Sequence, residues 1–206
     1  MSDRDVFKTI AGPGEAHFEV RGSEFIGHAT PVETREEAEA VIETIAADYD
    51  DATHNVPAYR VRVASGSSGH LLREYQSDDG EPSGSSGKPA LNVLQQRDLE
   101  NVAAVVTRYY GGTNLGVGGL ARAYSRAVKE AIADAGVVER RPREQFAVTV
   151  EYDDSGTVRG ILESGAGDFE ADYETSVTFR VTAPVDEAPA IRDRIRSATS
   201  GRAHIE

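Results

Sequence analysis

The sequence predicts an α+β fold in two domains, the first over residues 1–140 and the second over residues 143–206. Strand-length apolar runs alternate with helix-period stripes through the first part, which predicts a mixed sheet with helices packed on one side. A charged, proline-containing boundary follows, Arg140-Arg141-Pro142-Arg143. Beyond it the elements read β-α-β-β-α-β, the order of a ferredoxin-like sandwich, small but viable at about 60 residues.

Residues 15–32 alternate well enough for two strands turned at Gly22-Ser23, with Phe18 and Val20 on one face and Phe25 and Ile26 starting the return. Thr34 and Glu37 have capping-box spacing, and Ala38, Val41, Ile42, Ile45 and Ala46 make a helical stripe ending near Tyr49. Ala52 to Asn55 read as a connector. Ala58–Val63 alternates as a strand, Ser65 to Gly69 as a flexible turn, and Leu71–Tyr75 as the returning strand. Ser77 to Gly87 is a long polar loop, and loops of this length are usually functional or mobile. Pro89 suits the first turn of the next helix.

Val102–Val106 is an apolar run too short for a helix, so it reads as a buried strand. Arg108, Tyr109 and Tyr110 follow, then Gly111, Gly112, Gly116, Gly118 and Gly119, then a helical stripe closed at Gly136. Glycine costs about 0.5–1 kcal/mol relative to Ala inside a helix or strand, so a run this dense marks a loop. Strand, glycine loop and helix start together present free N–H groups to an anion. Past the boundary, Gln145–Tyr152 reads as a strand, Ser155 as the cap of a helix closed by Gly165, and Phe169–Tyr173 with Val177–Val181 as a strand pair. Asp186–Ala198 reads as an Arg-rich helix and Ala203–Ile205 as a last strand.

The chain has no cysteine, which excludes disulfides, thiolate metal sites and cysteine nucleophiles. Its first residues are acidic and lack an apolar core, and no run approaches the ~18 apolar residues of a membrane span. A cytoplasmic protein is expected. The formal net charge is −13, with three lysines, Lys8, Lys88 and Lys129, among 22 basic residues. That composition suits solubility at high salt and predicts a halophilic source. The sign reverses only over residues 107–142, where six basic residues meet three acidic ones.

The run from Gly116 to Ala121 fits a dinucleotide fingerprint, with Glu139 eighteen residues on. Too few βαβ units flank it for a Rossmann sheet, and GGTNL separates it from the strand. The run from Gly84 to Pro89 is not a P-loop, because Pro82 and Pro89 stand where a glycine and a Ser/Thr belong. His54, Asp78, Asp79 and Glu81 would make a metal or acid/base site if the 77–87 loop folded onto the connector. No ligand spacing of a zinc site is present.

The run from Arg108 to Tyr124, RYYGGTNLGVGGLARAY, closely resembles the signature of the Impact/YigZ family. Two upstream blocks agree: Ala52–Asn55 leading into Ala58-Tyr59-Arg60, and Asp78–Gly84 through Gly87-Lys88-Pro89. These cover roughly residues 15–135, and the tail resembles the small second domain of bacterial and archaeal members. The resemblance implies a first domain folded like a small-subunit ribosomal protein's second domain and domain IV of elongation factor G. It implies a ferredoxin-like second domain similar to elongation-factor domains. It also implies a non-enzymatic factor, without cofactor or metal, that binds RNA or a ribosome-associated protein. The expected role is modulation of translation, since eukaryotic Impact regulates translation. The expected nucleic-acid- or phosphate-binding residues are Lys88, Arg108, Gly116, Gly118, Gly119, Arg122 and Arg126 for phosphate, with Tyr109 or Tyr110 available to stack on a base. The alternative is an enzyme or small-molecule binder. It would hold a phosphorylated ligand between the 77–88 and 111–119 loops, with His54 or Glu81 as acid/base.

Overall fold

A computed structural model describes residues 6–65, 69–165 and 167–206. The centre of the turn expected at Ser65–Gly69 lies outside them, as does the acidic start of the chain. The chain divides into two units, one over Lys8–Glu139 and the other over Arg140–Glu206 with Val6 and Phe7; the strands Phe7–Ile10 and Val137–Arg140, which straddle the boundary, are described with the first.

In the first unit the elements are β1 (Phe7–Ile10), β2 (Gly14–Val20), β3 (Ser23–Pro31), α1 (Arg35–Asp48), β4 (His54–Ser65), β5 (Gly69–Gln76), α2 (Gly87–Gln96), β6 (Val102–Tyr109), α3 (Val117–Ala135) and β7 (Val137–Arg140). Five strands form one sheet in the order β2-β3-β6-β4-β5, and β1 pairs with β7. Every ladder of the five-stranded sheet is antiparallel. The strand directions are therefore not mixed in this sheet. The helical crossover from β3 to β4 does leave those two strands parallel, but β6 inserts between them and opposes both. The β2–β3 hairpin turns on Arg21 and Gly22, whose φ angles of 51° and 82° suit a type I′ turn, one residue before the expected position. His54 and Asn55 belong to β4 rather than to a connector.

Helices cover both faces, not one. Val102, Ala104 and Val106 of β6 meet α2 and α3, with Ala90, Leu94, Tyr124, Ala127 and Val128 in the same core. Ala103 faces a second cluster with Tyr59, Val61 and Ala38 of α1. The physical reason is β6 itself: a strand apolar in both phases leaves either face to be covered. Thr34 caps α1 as its spacing predicts, accepting from Glu37 N at 3.1 Å, while the Glu37 carboxylate accepts from Glu33 N at 2.7 Å. α3 lies close on β2 and β3 because Gly27 has no side chain where Ala127 O passes; a Cβ there would stand 2.6 Å from it.

The second unit contains β8 (Arg143–Val150), α4 (Tyr152–Glu163), β9 (Asp168–Tyr173), β10 (Val177–Pro184), α5 (Ala188–Ala198) and β11 (His204–Ile205). The order β11-β8-β10-β9 is that of a ferredoxin-like sandwich. Its core joins Phe146, Val148, Val150, Phe179 and Val181 to Val158, Leu162, Ile191 and Ile195 of the helices. Ser155 does not cap α4. Glu151 stands at the cap, and the Ser155 hydroxyl donates within the first turn to Tyr152 O at 2.7 Å. Asp153 and Asp154 complement that helix start instead. Among the described residues no helix is long and apolar enough to cross a membrane.

Candidate functional site

β6 delivers the first side chain by parity. Arg108 follows Val102, Ala104 and Val106 in the same phase, so it enters the core face of the sheet. Its side chain is 5 % exposed, and a buried guanidinium needs partners. Nη1 donates to Glu81 Oε1 at 2.5 Å and Nη2 to Ser23 Oγ at 3.1 Å, while Nε has no partner. The Phe25 and Tyr110 rings flank it, 5.5 and 5.4 Å from the guanidinium carbon.

Glu81 arrives from the polar loop between β5 and α2. Asp79 and Gly80 turn the chain with φ of 46° and 83°, and Glu81 N donates to Asp78 O at 2.9 Å. Tyr124 of α3 donates its hydroxyl to the same Oε1 at 2.8 Å. Burial, then the Glu81 charge, pushes the Tyr124 phenol well above its usual range. Glu81 Oε2 has His54 Nε2 3.9 Å away, beyond hydrogen-bonding range. The other ring nitrogen of His54 lies 2.5 Å from Asp79 O. A carbonyl only accepts, so Nδ1 carries the proton and Nε2 of the neutral ring is an acceptor. Asp79 also accepts from Asn55 N at 2.6 Å, so its backbone and side chain fasten the loop to the start of β4.

Asp78 occupies the glycine-serine turn that precedes α2. Its carboxylate accepts from Gly84 N at 2.7 Å, Ser86 N at 3.0 Å and Gly87 N at 2.9 Å. Burial pushes it upward, but these three donors outweigh that and hold it below the usual carboxylate range. The P-loop-like turn thus does cradle an anion, and the anion is the protein's own. Lys88 lies beyond it, exposed on α2 and absent from the cleft lining.

The glycine loop connects Tyr110 to α3. Gly116 caps the helix with φ of 70°, no side chain caps the first turn, and that turn holds no acidic residue. Leu120 N is the first amide to return, to Gly116 O at 2.9 Å. The N–H groups of Val117, Gly118 and Gly119 precede it. Arg122 reaches back: its Nη1 lies 3.4 Å from where a Gly118 Cβ would stand. Arg126 lies over the Phe18 ring, 4.0 Å from its centroid, and donates to Glu130 at 2.8 Å. Arg122, Arg126 and Lys129 are exposed along α3.

The nine expected phosphate-binding residues therefore fall into separate groups. Gly116, Tyr110 and Arg108 line a cleft of about 480 Å³ together with His54, Glu81, Thr53 and Asn114. Gly118 and Gly119 lie in the first turn of α3, and Arg122 and Arg126 along its outer side. Tyr109 is held away by a hydrogen bond from its hydroxyl to Asp51 at 2.6 Å, which pushes its phenol up to about 12. The cleft joins the 77–88 and 111–119 loops and gathers both His54 and Glu81. Among the described residues no three His, Asp or Glu side chains gather as a metal site. Sequence reasoning missed Ser23, Thr53 and Asn114. Thr53 Oγ1 accepts from Tyr110 N at 2.9 Å, and Asn114 accepts from the Tyr110 hydroxyl at 3.1 Å. Thr53 and Asn114 stand inside the blocks that carry the family resemblance, which was their signal, whereas Ser23 at the start of β3 gave none.

Comparison with known proteins bears on this geometry. Residues 21–132 match the family model described as the Impact N-terminal domain, and residues 148–202 match a domain of unknown function, DUF1949. IMPACT family member YvyE of Bacillus subtilis is 36 % identical over 199 residues, 96 % of this chain and 89 % of that one. IMPACT family member YigZ of Escherichia coli is 30 % identical over 192 residues, 93 % of this chain and 92 % of that one. A solved structure described as a hypothetical protein overlays with a TM-score of 0.69 at 28 % identity, covering 98 % of this chain and 96 % of that one.

Proposed function

The chain belongs to the Impact family, and from that premise we propose that it is a non-enzymatic cytoplasmic factor that modulates translation by binding RNA phosphates along α3. One observation carries the proposal. In a chain of net charge −13, Arg122, Arg126 and Lys129 stand exposed on one helix that begins uncapped and without an acid in its first turn. An exposed cationic ridge continuous with free helix N–H groups suits a phosphate backbone. Glu130 partly offsets Arg126, which leaves Arg122 and Lys129 as the stronger contacts. The role in translation is the one that the family's eukaryotic members imply.

The test is binding of a labelled single-stranded RNA across a salt series, for the wild-type chain and an Arg122→Ala/Lys129→Ala variant. Removing two phosphate contacts is expected to weaken binding and to flatten the salt slope by about 1.4, at roughly 0.7 per contact on single strands. A wild-type protein that binds no RNA at any salt concentration where it is folded sinks the proposal.

A further inference from the structure

We propose that the hollow between the β2–β3 hairpin and α3 binds the terminal phosphomonoester of an RNA strand. This rests on the reading of α3 as an RNA-binding ridge and names the part of the strand that enters first. Arg21, Arg122 and Arg126 line the hollow together with Val20, Leu115 and Ala123, and no carboxylate among the described residues does. Its volume, about 270 Å³, falls below the roughly 300–1,000 Å³ of small-ligand pockets, so it suits a phosphate group rather than a whole nucleotide.

The three guanidiniums are supplied in different ways. Arg126 lies over the Phe18 ring, 4.0 Å from its centroid, and its Nε donates to Glu130, which fixes the plane and leaves both Nη groups for a ligand. Arg122 reaches back toward the first turn of α3, and neither it nor Arg21 pairs with a carboxylate among the described residues. Arg21 stands in the β2–β3 turn with φ of 51°, where Asn, Asp or Gly is the ordinary occupant. An arginine there is unfavourable for the turn, and what it adds is a third cation in the lining.

Two unpaired cations and a third shared with Glu130 call for about two negative charges. A carboxylate or an internal phosphodiester brings one. A phosphomonoester brings about 1.5–2 at pH 7, on oxygens that match the fork of a guanidinium. Arg122 and Arg126 also line the next hollow along the helix, with Ser125, Lys129 and Glu130. α3 rises about 10 Å from Arg122 to Lys129, so the phosphates that follow the strand end meet the same ridge.

Fluorescence anisotropy of the full chain tests this with single-stranded RNAs of one sequence that carry a 5′ phosphate, a 3′ phosphate or hydroxyls at both ends. One phosphorylated end is expected to bind at least about tenfold tighter than the hydroxyl-ended strand. Arg21→Asn, which suits the turn, is expected to abolish that advantage and to leave the hydroxyl-ended strand bound as before, a difference that general damage to the fold does not produce. Lys129→Ala is expected to weaken all three strands alike. Equal affinity for the three strands, or an Arg21→Asn variant that keeps the advantage, overturns the pocket and leaves the α3 ridge standing. Inorganic phosphate, AMP or a phosphoserine peptide that binds as tightly as the phosphorylated strand overturns the RNA end as its source.

Discussion

Arg108 and Glu81 are both almost fully buried and neutralise each other, so neither is replaceable alone. Removing one partner of a buried pair leaves an uncompensated charge and costs about 3–5 kcal/mol. Arg108→Met and Glu81→Leu are each expected to lower unfolding stability in urea by that order. The double variant is expected to lose clearly less than their sum, because it leaves no orphan charge; additive losses would contradict the pairing. His28 is a second residue whose charge matters. Burial pushes it below the usual histidine range, against Glu15 and Asp48, and its Nε2 is buried without a partner. A depressed value makes the folded state bind fewer protons, so stability is full above the ordinary value of about 6.5 and is lost as pH falls through the folded one. Denaturation midpoints at pH 7.5 and 5.5 are expected to show that loss, and His28→Leu to shrink it. Of these residues only Arg108 was legible in part. Its parity with Val106 places it on the core face, but Glu81 lies 27 residues away in a loop, and nothing local announces that they meet.

Between residues 77 and 87 the loop has little apolar content, and Asp78 gives it shape through three backbone donors. Asp78→Ala is expected to speed amide exchange at Gly84, Ser86 and Gly87 and to cost about 1–3 kcal/mol. Because the Asp78 value is lowered, that contribution is present above the ordinary carboxylate range and fades as pH falls below it. Unchanged exchange in the variant would show that the loop holds itself. The Arg21-Gly22 turn and the glycine loop are coupled as well, since a Cβ on Gly111 would overlap the Gly22 backbone. The sequence made the elements legible because burial imposes periods of 2 and 3.6 on strands and helices. It left their faces open. The run Val102–Val106 already said that β6 is covered twice, yet helical stripes carry no record of which side of a sheet they land on.

At the scale of the chain, 35 acidic residues against 22 basic ones repel one another in dilute buffer. Raising KCl from about 0.1 to 2 M shortens the screening length from roughly 10 Å to below 3 Å and is expected to raise the thermal midpoint by several degrees. A midpoint that is indifferent to salt would argue against a halophilic design. The order β2-β3-β6-β4-β5 has a further effect, on how the first unit comes into being on the ribosome. Two hairpins, β2–β3 and β4–β5, are complete by Gln76, but the strand that joins them ends at Tyr109 and its covering helix at Ala135. At about 5–20 residues per second, both hairpins wait for seconds with the edges that β6 will fill, those of β3 and β4, unpaired. Neither can satisfy the other, because the seam between them is the width of a strand that has not yet been made. The unit therefore gains its core in a single late step, and a nascent chain truncated before residue 102 has two halves of a sheet and nothing to close them.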